Sequence, residues 1–267
     1  MKAAAFLAAA LFAPDALAWG LQTHVFLAQW ALAVVPLADP QIRSAALRLP
    51  RLVLAGACLP DLAVAGRLLG MPAFRAAHRW STLRRLAATC WDEERAIAVG
   101  YASHLLADVV AHNRFVPEHE RQLLDLPHVT HALCEWAMDE HALPALAHQP
   151  ASLLAGDLAT LAQAAARTFQ CRESLAGHAI RFLARAEESL RASGLPRLCR
   201  RALQCLQGDR TTHFSAYLNE AAGMLRHLES VLQGAEPRWQ PEPDQAKRKD
   251  ARAIALPSAA PAMTSLG

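Results

Sequence analysis

Side chains that commonly bind metal recur every fourth residue in one segment of the chain. His104, Asp108 and His112 are separated by the apolar triplets Leu-Leu-Ala and Val-Val-Ala. On an α-helix each step of four residues turns by only about 40° around the axis, so the three side chains would lie along one narrow face. The triplets predict that this face is buried, where an uncompensated carboxylate is costly. The pattern therefore favours a bound metal ion, with a metal-free His–Asp pair in the core as the alternative.

A second set of candidate ligands lies on the next predicted helix, where His131 and Glu135 are again four residues apart. His128 precedes this pair, and Asp139 and His141 extend the polar stripe beyond it. A His-x-x-x-Glu spacing occurs in many helices and also suits a solvated face with ion pairs inside the helix. By itself this set is a weak indication of a metal site.

The first eighteen residues have the layout of a secretory signal peptide. Lys2 is followed by an apolar run over residues 3–13, and Ala16-Leu17-Ala18 supplies the small residues of a cleavage site. The apolar run is shorter than the roughly 20 residues that span a bilayer; an uncleaved anchor is the alternative. We therefore expect cleavage after Ala18 and a secreted or periplasmic protein.

Cleavage at this position would make Trp19 the first residue of the mature chain. A free α-amine has a pKa of about 8, so near neutral pH it can lose its proton and bind a metal ion. The carbonyl oxygen of the same residue would complete a chelate ring. His24 follows about one helical turn into the chain and could share the same ion.

The composition predicts one all-α domain that positions these residues. Hydrophobic residues make up 53% and charged residues 19%, which excludes disorder for most of the chain. Ala and Leu are abundant, which favours helices over strands. The 27 basic and 24 acidic residues give a net charge of +3, which does not by itself indicate a nucleic-acid-binding surface. We expect about eight to ten helices over residues 19–234 and a disordered, proline-rich tail over 235–267. The longest predicted helices cover 92–113, 128–143, 151–168, 172–193 and 209–233.

Six cysteines, at positions 58, 90, 134, 171, 199 and 205, are irregularly spaced. After export they could form disulfides in an oxidising compartment. They could equally serve as small buried apolar residues, and the sequence leaves both alternatives open.

The ordered set of candidate ligands resembles the zinc-dependent phospholipase C family, which is related to the S1/P1-type single-strand nucleases. The matching motifs, in chain order, are Trp19-Gly-x-x-Thr23-His24, Ala57-Cys-x-Pro60-Asp61, His78, His104-x-x-x-Asp108, His112 and His131-x-x-x-Glu135. The resemblance implies an all-helical fold around a cleft that holds up to three zinc ions.

The resemblance also implies how the ligands divide among the ions. The first zinc would take Asp61, His78, His104 and Asp108. The second would take the amine and carbonyl of Trp19, His24 and the other oxygen of Asp108, so that Asp108 bridges two ions. The third would take His112, His131 and Glu135.

One spacing departs from the better-known members of the family. Their histidine after the bridging aspartate usually lies six residues further on, whereas His112 follows Asp108 by four and position 114 is Arg. His119 or His128 could therefore take the place of His112.

By resemblance, the expected activity is hydrolysis of phospholipid to diacylglycerol and a phosphorylated head group by metal-activated water, with Asp61 orienting or deprotonating that water. The substrate would be met at a membrane surface, and no stable protein partner is predicted. Two alternatives stay open: an S1/P1-like nuclease acting on single-stranded nucleic acid, and a non-catalytic exported helical protein stabilised by zinc. The arginines at 181, 185, 191, 197, 200 and 201 could form a basic groove for nucleic acid or an ordinary solvated surface.

Overall fold

The computed structural model describes residues 20–122, 127–207 and 212–241, and the side chains of 121–131 and 206–213 lie outside what it describes. Within these ranges every regular element is helical and no strand is present, which confirms the prediction of an all-α domain. The predicted signal peptide, Trp19 and residues 242–267 lie outside the described residues, so the expectations for them stay predictions.

The first half of the domain contains the helices that carry the candidate ligands. They are α1 (Leu21–Val34), α2 (Pro40–Arg48), α3 (Pro50–Gly56), α4 (Leu62–Leu68), α5 (Trp80–Ala87), α6 (Asp92–Val110), α7 (Val116–Gln122) and α8 (Pro127–Ala142). Short 3-10 turns, Leu59–Asp61 and Pro72–Ala76, precede α4 and α5, and a π-helical turn, Ala111–Phe115, joins α6 to α7.

The second half of the domain packs around this set. Its helices are α9 (Pro150–Gly156), α10 (Leu158–Phe169), α11 (Glu173–Ala192), α12 (Leu195–Gln207), α13 (Thr212–Met224) and α14 (Leu228–Leu232). Several helices begin with proline, which suits the first helical position because its missing N–H would have no partner inside the helix.

The helix α6 lies at the centre of the domain. It packs against α1, α2, α3, α5 and α13, and every residue from Ala96 to Val110 is buried. A helix with neighbours on all sides carries no solvent-facing stripe. His104 and Asp108 are therefore held in the interior, as the apolar triplets around them predict.

Two glycines allow α3 and α6 to approach closely. A Cβ added at Gly100 would lie 1.8 Å from the carbonyl oxygen of Val53, and one added at Gly56 would lie 2.3 Å from the carbonyl oxygen of Ile97. No side chain fits between the two backbones at this crossing. The crossing brings the end of α3, with the Ala57 carbonyl and the turn that carries Asp61, against the middle of α6.

The first part of the segment predicted as a tail contacts the helical domain. Trp80 donates its indole N–H to the carbonyl of Trp239 over 2.9 Å, and Asn113 donates to the carbonyl of Gln240 over 3.2 Å. Pro241 is buried. The packed chain thus extends past the expected boundary at residue 234 to Pro241, and disorder stays a prediction for 242–267 only.

All six cysteines are free thiols in the structure. Cys58, Cys134 and Cys199 are buried, and burial raises the pKa of each of these thiols. A thiol with a raised pKa holds its proton and is a poor nucleophile. These three cysteines therefore act as apolar core residues.

None of the helices in the described ranges is by itself long and apolar enough to cross a membrane. The segments Pro40–Arg48 and Pro50–Leu68, taken together, have the length and apolar composition of a membrane span, but a bend of 95° separates them.

Replacing Gly100 by Ala should lower the free energy of unfolding by about 1–3 kcal/mol, because the added methyl group forces α3 and α6 apart. Gly177→Ala, inside α11, is the matched control, since its added Cβ would meet no atom closer than 3.6 Å. The control should be neutral or stabilising by up to about 1 kcal/mol, the advantage of Ala over Gly in a helix. Urea denaturation measures both variants, and equal stabilities would contradict the close crossing.

Candidate metal centre

Five of the predicted ligands meet in one buried cluster, although they come from four different parts of the chain. His24 lies on α1, Asp61 ends the 3-10 turn before α4, and His78 lies just before α5. His104 and Asp108 lie one turn apart on α6. Each of the five is at most 5% exposed. We call these five residues the His–Asp cluster.

Asp108 is the centre of the His–Asp cluster. Its Oδ1 lies 3.4 Å from Nε2 of His24. Its Oδ2 lies 3.0 Å from Nε2 of His104 and 3.4 Å from Nε2 of His78. The two oxygens of one carboxylate thus face different imidazoles, which is the arrangement that a carboxylate shared by two ions requires.

The other side of the cluster is formed by Asp61, His78 and His104. Nε2 of His78 lies 3.6 Å from Oδ1 of Asp61 and 3.2 Å from Nε2 of His104. Two imidazole nitrogens at this distance repel each other unless a proton or another cation lies between them. On the opposite face His104 stacks on the ring of His24, with ring centres 3.5 Å apart and planes inclined by 11°.

The proton position on His104 follows from its backbone contact. Nδ1 of this ring lies 2.7 Å from the carbonyl oxygen of Ala57, which can only accept a hydrogen bond. Nδ1 therefore carries the proton, and Nε2 presents its lone pair to the cluster. A backbone carbonyl that fixes the tautomer and orientation of a ligating histidine in this way is typical of metal sites.

The buried carboxylates of Asp61 and Asp108 indicate whether a metal ion fits this site. Oδ1 of Asp61 and both oxygens of Asp108 are buried and accept no hydrogen bond within the described residues. Buried carboxylate oxygens without such bonds cost several kcal/mol. Two groups of three residues bring their potential ligand atoms within 4.8 Å of one another. One group is His24, His104 and Asp108; the other is Asp61, His78 and His104. These residues could therefore hold metal ions, and His104 is a member of both groups.

Of the residues predicted for a third ion, His112 and Glu135 belong to neither of the two groups that the described residues form. His112 is buried in the π-helical turn that follows α6, and Glu135 is buried on α8. The side chain of His131 lies outside the described residues, so the third site stays a prediction. His119, the alternative ligand, is buried and bonds through Nδ1 to the Phe115 carbonyl over 2.8 Å. A π-helical turn often marks a functional site, and this one begins three residues after Asp108.

Asp139, which the sequence places on the polar stripe of α8, makes contacts that the sequence did not predict. It is fully buried rather than part of a solvated stripe on α8. Its Oδ1 accepts hydrogen bonds from the backbone N–H and the hydroxyl of Thr23 over 2.9 and 2.7 Å, and its Oδ2 accepts one from Arg191 over 2.7 Å. Burial raises the pKa of Asp139, and Arg191 and Thr23 oppose that rise. Its partners are more than fifty residues away, so no local pattern predicts the contact.

An apolar cleft borders the His–Asp cluster at Asp61. Its volume is about 560 Å³ including its open mouth. It is lined by Gly20 at the start of α1, by Trp136 on α8, and by Phe182 and Leu190 on α11. Concave sites with mostly apolar walls and a few polar groups are typical of small-molecule binding.

Glu187, a further residue of the cleft wall, should make stability depend on pH. Burial raises the pKa of Glu187 to about 7, although Arg191 opposes the shift. The folded state therefore binds this proton more tightly than the unfolded state, so stability is lost as the pH rises from about 4.5 to about 7. With chelator present throughout, the free energy of unfolding of wild type relative to Glu187→Gln should fall by about 3 kcal/mol across this window. A constant difference in urea titrations would contradict the raised pKa.

The fold and the cluster together define the class: a helical protein with a buried group of imidazoles and carboxylates that could hold metal. The family model described as zinc dependent phospholipase C matches residues 23–170, and the chain belongs to this family. The matched range includes every predicted ligand from His24 to Glu135. No curated protein matches the chain, and no solved structure matches it.

Proposed function

We propose that the protein is an exported, zinc-dependent phospholipase C-like hydrolase that cleaves phospholipid into diacylglycerol and a phosphorylated head group. The observation that carries this proposal is the apolar cleft, because it borders the buried His–Asp cluster directly at Asp61. A phospholipid has a charged phosphodiester joined to apolar chains. The His–Asp cluster would take the phosphodiester and the apolar cleft would take the chains, and the two adjoin at Asp61.

The proposed ligand sets are those that the family resemblance implies. Asp61, His78, His104 and Asp108 would hold one ion, and His24 with Asp108 and Trp19 a second. His112, His131 and Glu135 would hold a third. Bound zinc supplies positive charge to the phosphodiester and makes water a source of hydroxide near neutral pH.

In the proposed reaction, residues of the chain orient the attacking water, orient His104 and contact the lipid. Asp61 lies at the boundary between the cluster and the cleft, where its carboxylate can orient the attacking water and accept its proton. The Ala57 carbonyl keeps the His104 ring in the orientation that presents Nε2. Trp136, Phe182 and Leu190 would contact the glyceride portion of the substrate and exclude water from it.

The arginines argue against a nucleic-acid groove. Binding of a single strand requires a continuous basic groove with aromatic stacking platforms. Arg191 is instead paired with Asp139 inside the protein, and Arg200 donates to the backbone carbonyl of Glu140. Two of the six arginines are thus engaged in holding helices together rather than in lining a basic groove.

The cleft also argues against a purely structural role for zinc. Structural zinc sites are closed, with four protein ligands, whereas catalytic sites keep a position open to substrate. Here the carboxylate of Asp61 belongs both to the cluster and to the wall of an open cleft.

The mature chain, beginning at Trp19 and loaded with zinc, should release diacylglycerol from vesicles of phosphatidylcholine and phosphatidylethanolamine. A chelator should abolish this release and added zinc should restore it, because the water nucleophile depends on the metal. Single-stranded DNA incubated in parallel serves as the competing substrate. Zinc-dependent cleavage of DNA without diacylglycerol release would favour the nuclease, and no cleavage of either would favour the non-catalytic alternative.

Asp108→Ala should lower the zinc content by two ions together, because each oxygen of this carboxylate faces a different part of the cluster. Diacylglycerol release should fall more than about 100-fold, since even outer-shell changes at metal sites cost 10–100-fold. Asp157→Ala is the matched control, because it removes an aspartate that pairs at the surface with Arg51 over 3.4 Å. Elemental analysis gives the zinc content, and a full complement in Asp108→Ala would refute the bridging role.

A further inference from the structure

A carboxylate from α8 holds the first turn of α1. The first N–H groups of any α-helix have no partner within the helix and need an acceptor from elsewhere. The N-cap residue of α1 is Gly20, which has no side chain to supply one. Asp139 supplies an acceptor from α8: its Oδ1 accepts from the Thr23 hydroxyl over 2.7 Å and from the Thr23 backbone N–H over 2.9 Å, an N–H that also lies 3.1 Å from the Gly20 carbonyl oxygen.

Arg191 holds Asp139 in this position. Nη2 of Arg191 donates to Oδ2 of Asp139 over 2.7 Å. Nε of the same guanidinium lies 2.8 Å from Oε1 of Glu187. The guanidinium thus lies between two buried carboxylates, one on α8 and one on its own helix α11. The bond to Asp139 is charge-assisted, and bonds of this kind are about twice as strong as neutral ones, so Arg191 helps to fix the orientation of the Asp139 carboxylate.

The chain that leads into α1 passes directly over this carboxylate. A Cβ added at Gly20 would lie 2.1 Å from Oδ2 of Asp139 and 2.4 Å from its carboxyl carbon. Only glycine leaves room for that approach. Asp139 therefore fixes both the first turn of α1 and the path of the residue before it.

The turn that Asp139 holds carries a member of the His–Asp cluster. His24 directly follows Thr23, stacks on His104 and lies 3.4 Å from Asp108. A shift of the first turn of α1 would move this imidazole away from Asp108.

We propose that Asp139, held by Arg191, is a positioning residue for the metal centre: it fixes the first turn of α1 and thereby sets His24 against Asp108. The proposal rests on the proposed function, because it assumes that the His–Asp cluster binds zinc. It assigns Asp139 no contact with substrate or metal. Its effect reaches the site only through α1.

The decisive measurement is zinc affinity, obtained by competition between the mature protein and a chromogenic chelator. In Asp139→Ala one zinc should bind roughly 10–100-fold more weakly while the other ions keep their affinity, because loss of an outer-shell partner has an effect of this size. Asp139→Asn keeps an oxygen that can accept from Thr23 and should restore part of the affinity. Thr23→Val removes only the hydroxyl and should weaken the same ion to a smaller extent.

Glu94 provides a matched control for a merely structural effect. It is a buried carboxylate that accepts from the hydroxyl of Thr89 and from Arg167 on another helix, which is the same chemistry as at Asp139. It lies in the first turn of α6, almost three turns before His104. Glu94→Ala should lower the thermal stability but leave every zinc affinity within about twofold of wild type.

The outcomes separate the positioning role from the proposed function. Weakening of one zinc in the Asp139 variants but not in Glu94→Ala supports the positioning role. Wild-type affinity in Asp139→Ala overturns it; if that variant does not fold, wild-type affinity in both Asp139→Asn and Thr23→Val overturns it. A wild-type protein that binds zinc without cleaving phospholipid overturns the proposed function alone, and one that binds no zinc overturns both.

Discussion

The Asp108 carboxylate is buried among three imidazoles, and the packing of the central helices has to accommodate this buried charge. This side chain is fully buried in a helix that is covered on all sides, and its oxygens accept no hydrogen bond within the described residues. An isolated carboxylate in such a place would bind a proton or unfold the helix around it. The surrounding imidazoles make a cation the compensating partner, so the stability of the core and the capacity to bind metal depend on the same residues.

The fold brings distant candidate ligands to Asp108 through close backbone contacts rather than through large side chains. The crossing at Gly56 and Gly100 brings the end of α3 against α6, so the Ala57 carbonyl reaches His104 and Asp61 follows one short turn later. Gly20 allows the start of α1 to pass over Asp139 in the same manner. Small residues at these crossings let the backbones approach closely enough for the side chains of the His–Asp cluster to meet.

The sequence predicts best what depends on local periodicity. The four-residue spacing of His104 and Asp108 predicted that they share a face of a buried helix, and they do. Helices predicted over 151–168 and 209–233 are each interrupted, at Asp157 and at the 3-10 turn Leu225–His227, because a period of 3.6 residues continues across a short break. The role of Asp139 could not be predicted, since a carboxylate on a helix looks the same whether it faces solvent or a partner 116 residues earlier.

The arrangement of charge around the cleft explains how a polar cluster and an apolar wall can share one boundary. Arg191 binds Asp139 behind the start of α1 and Glu187 on the cleft wall, so the carboxylates next to the apolar lining are paired with a cation inside the protein. A paired or protonated Glu187 does not attract water into the cleft as a free carboxylate would. Asp61 is then the carboxylate of the cleft lining that belongs to the His–Asp cluster, which places polar chemistry at one end of an otherwise apolar surface. That polarity along a single cleft is the property an amphiphilic phosphodiester requires of its binding site.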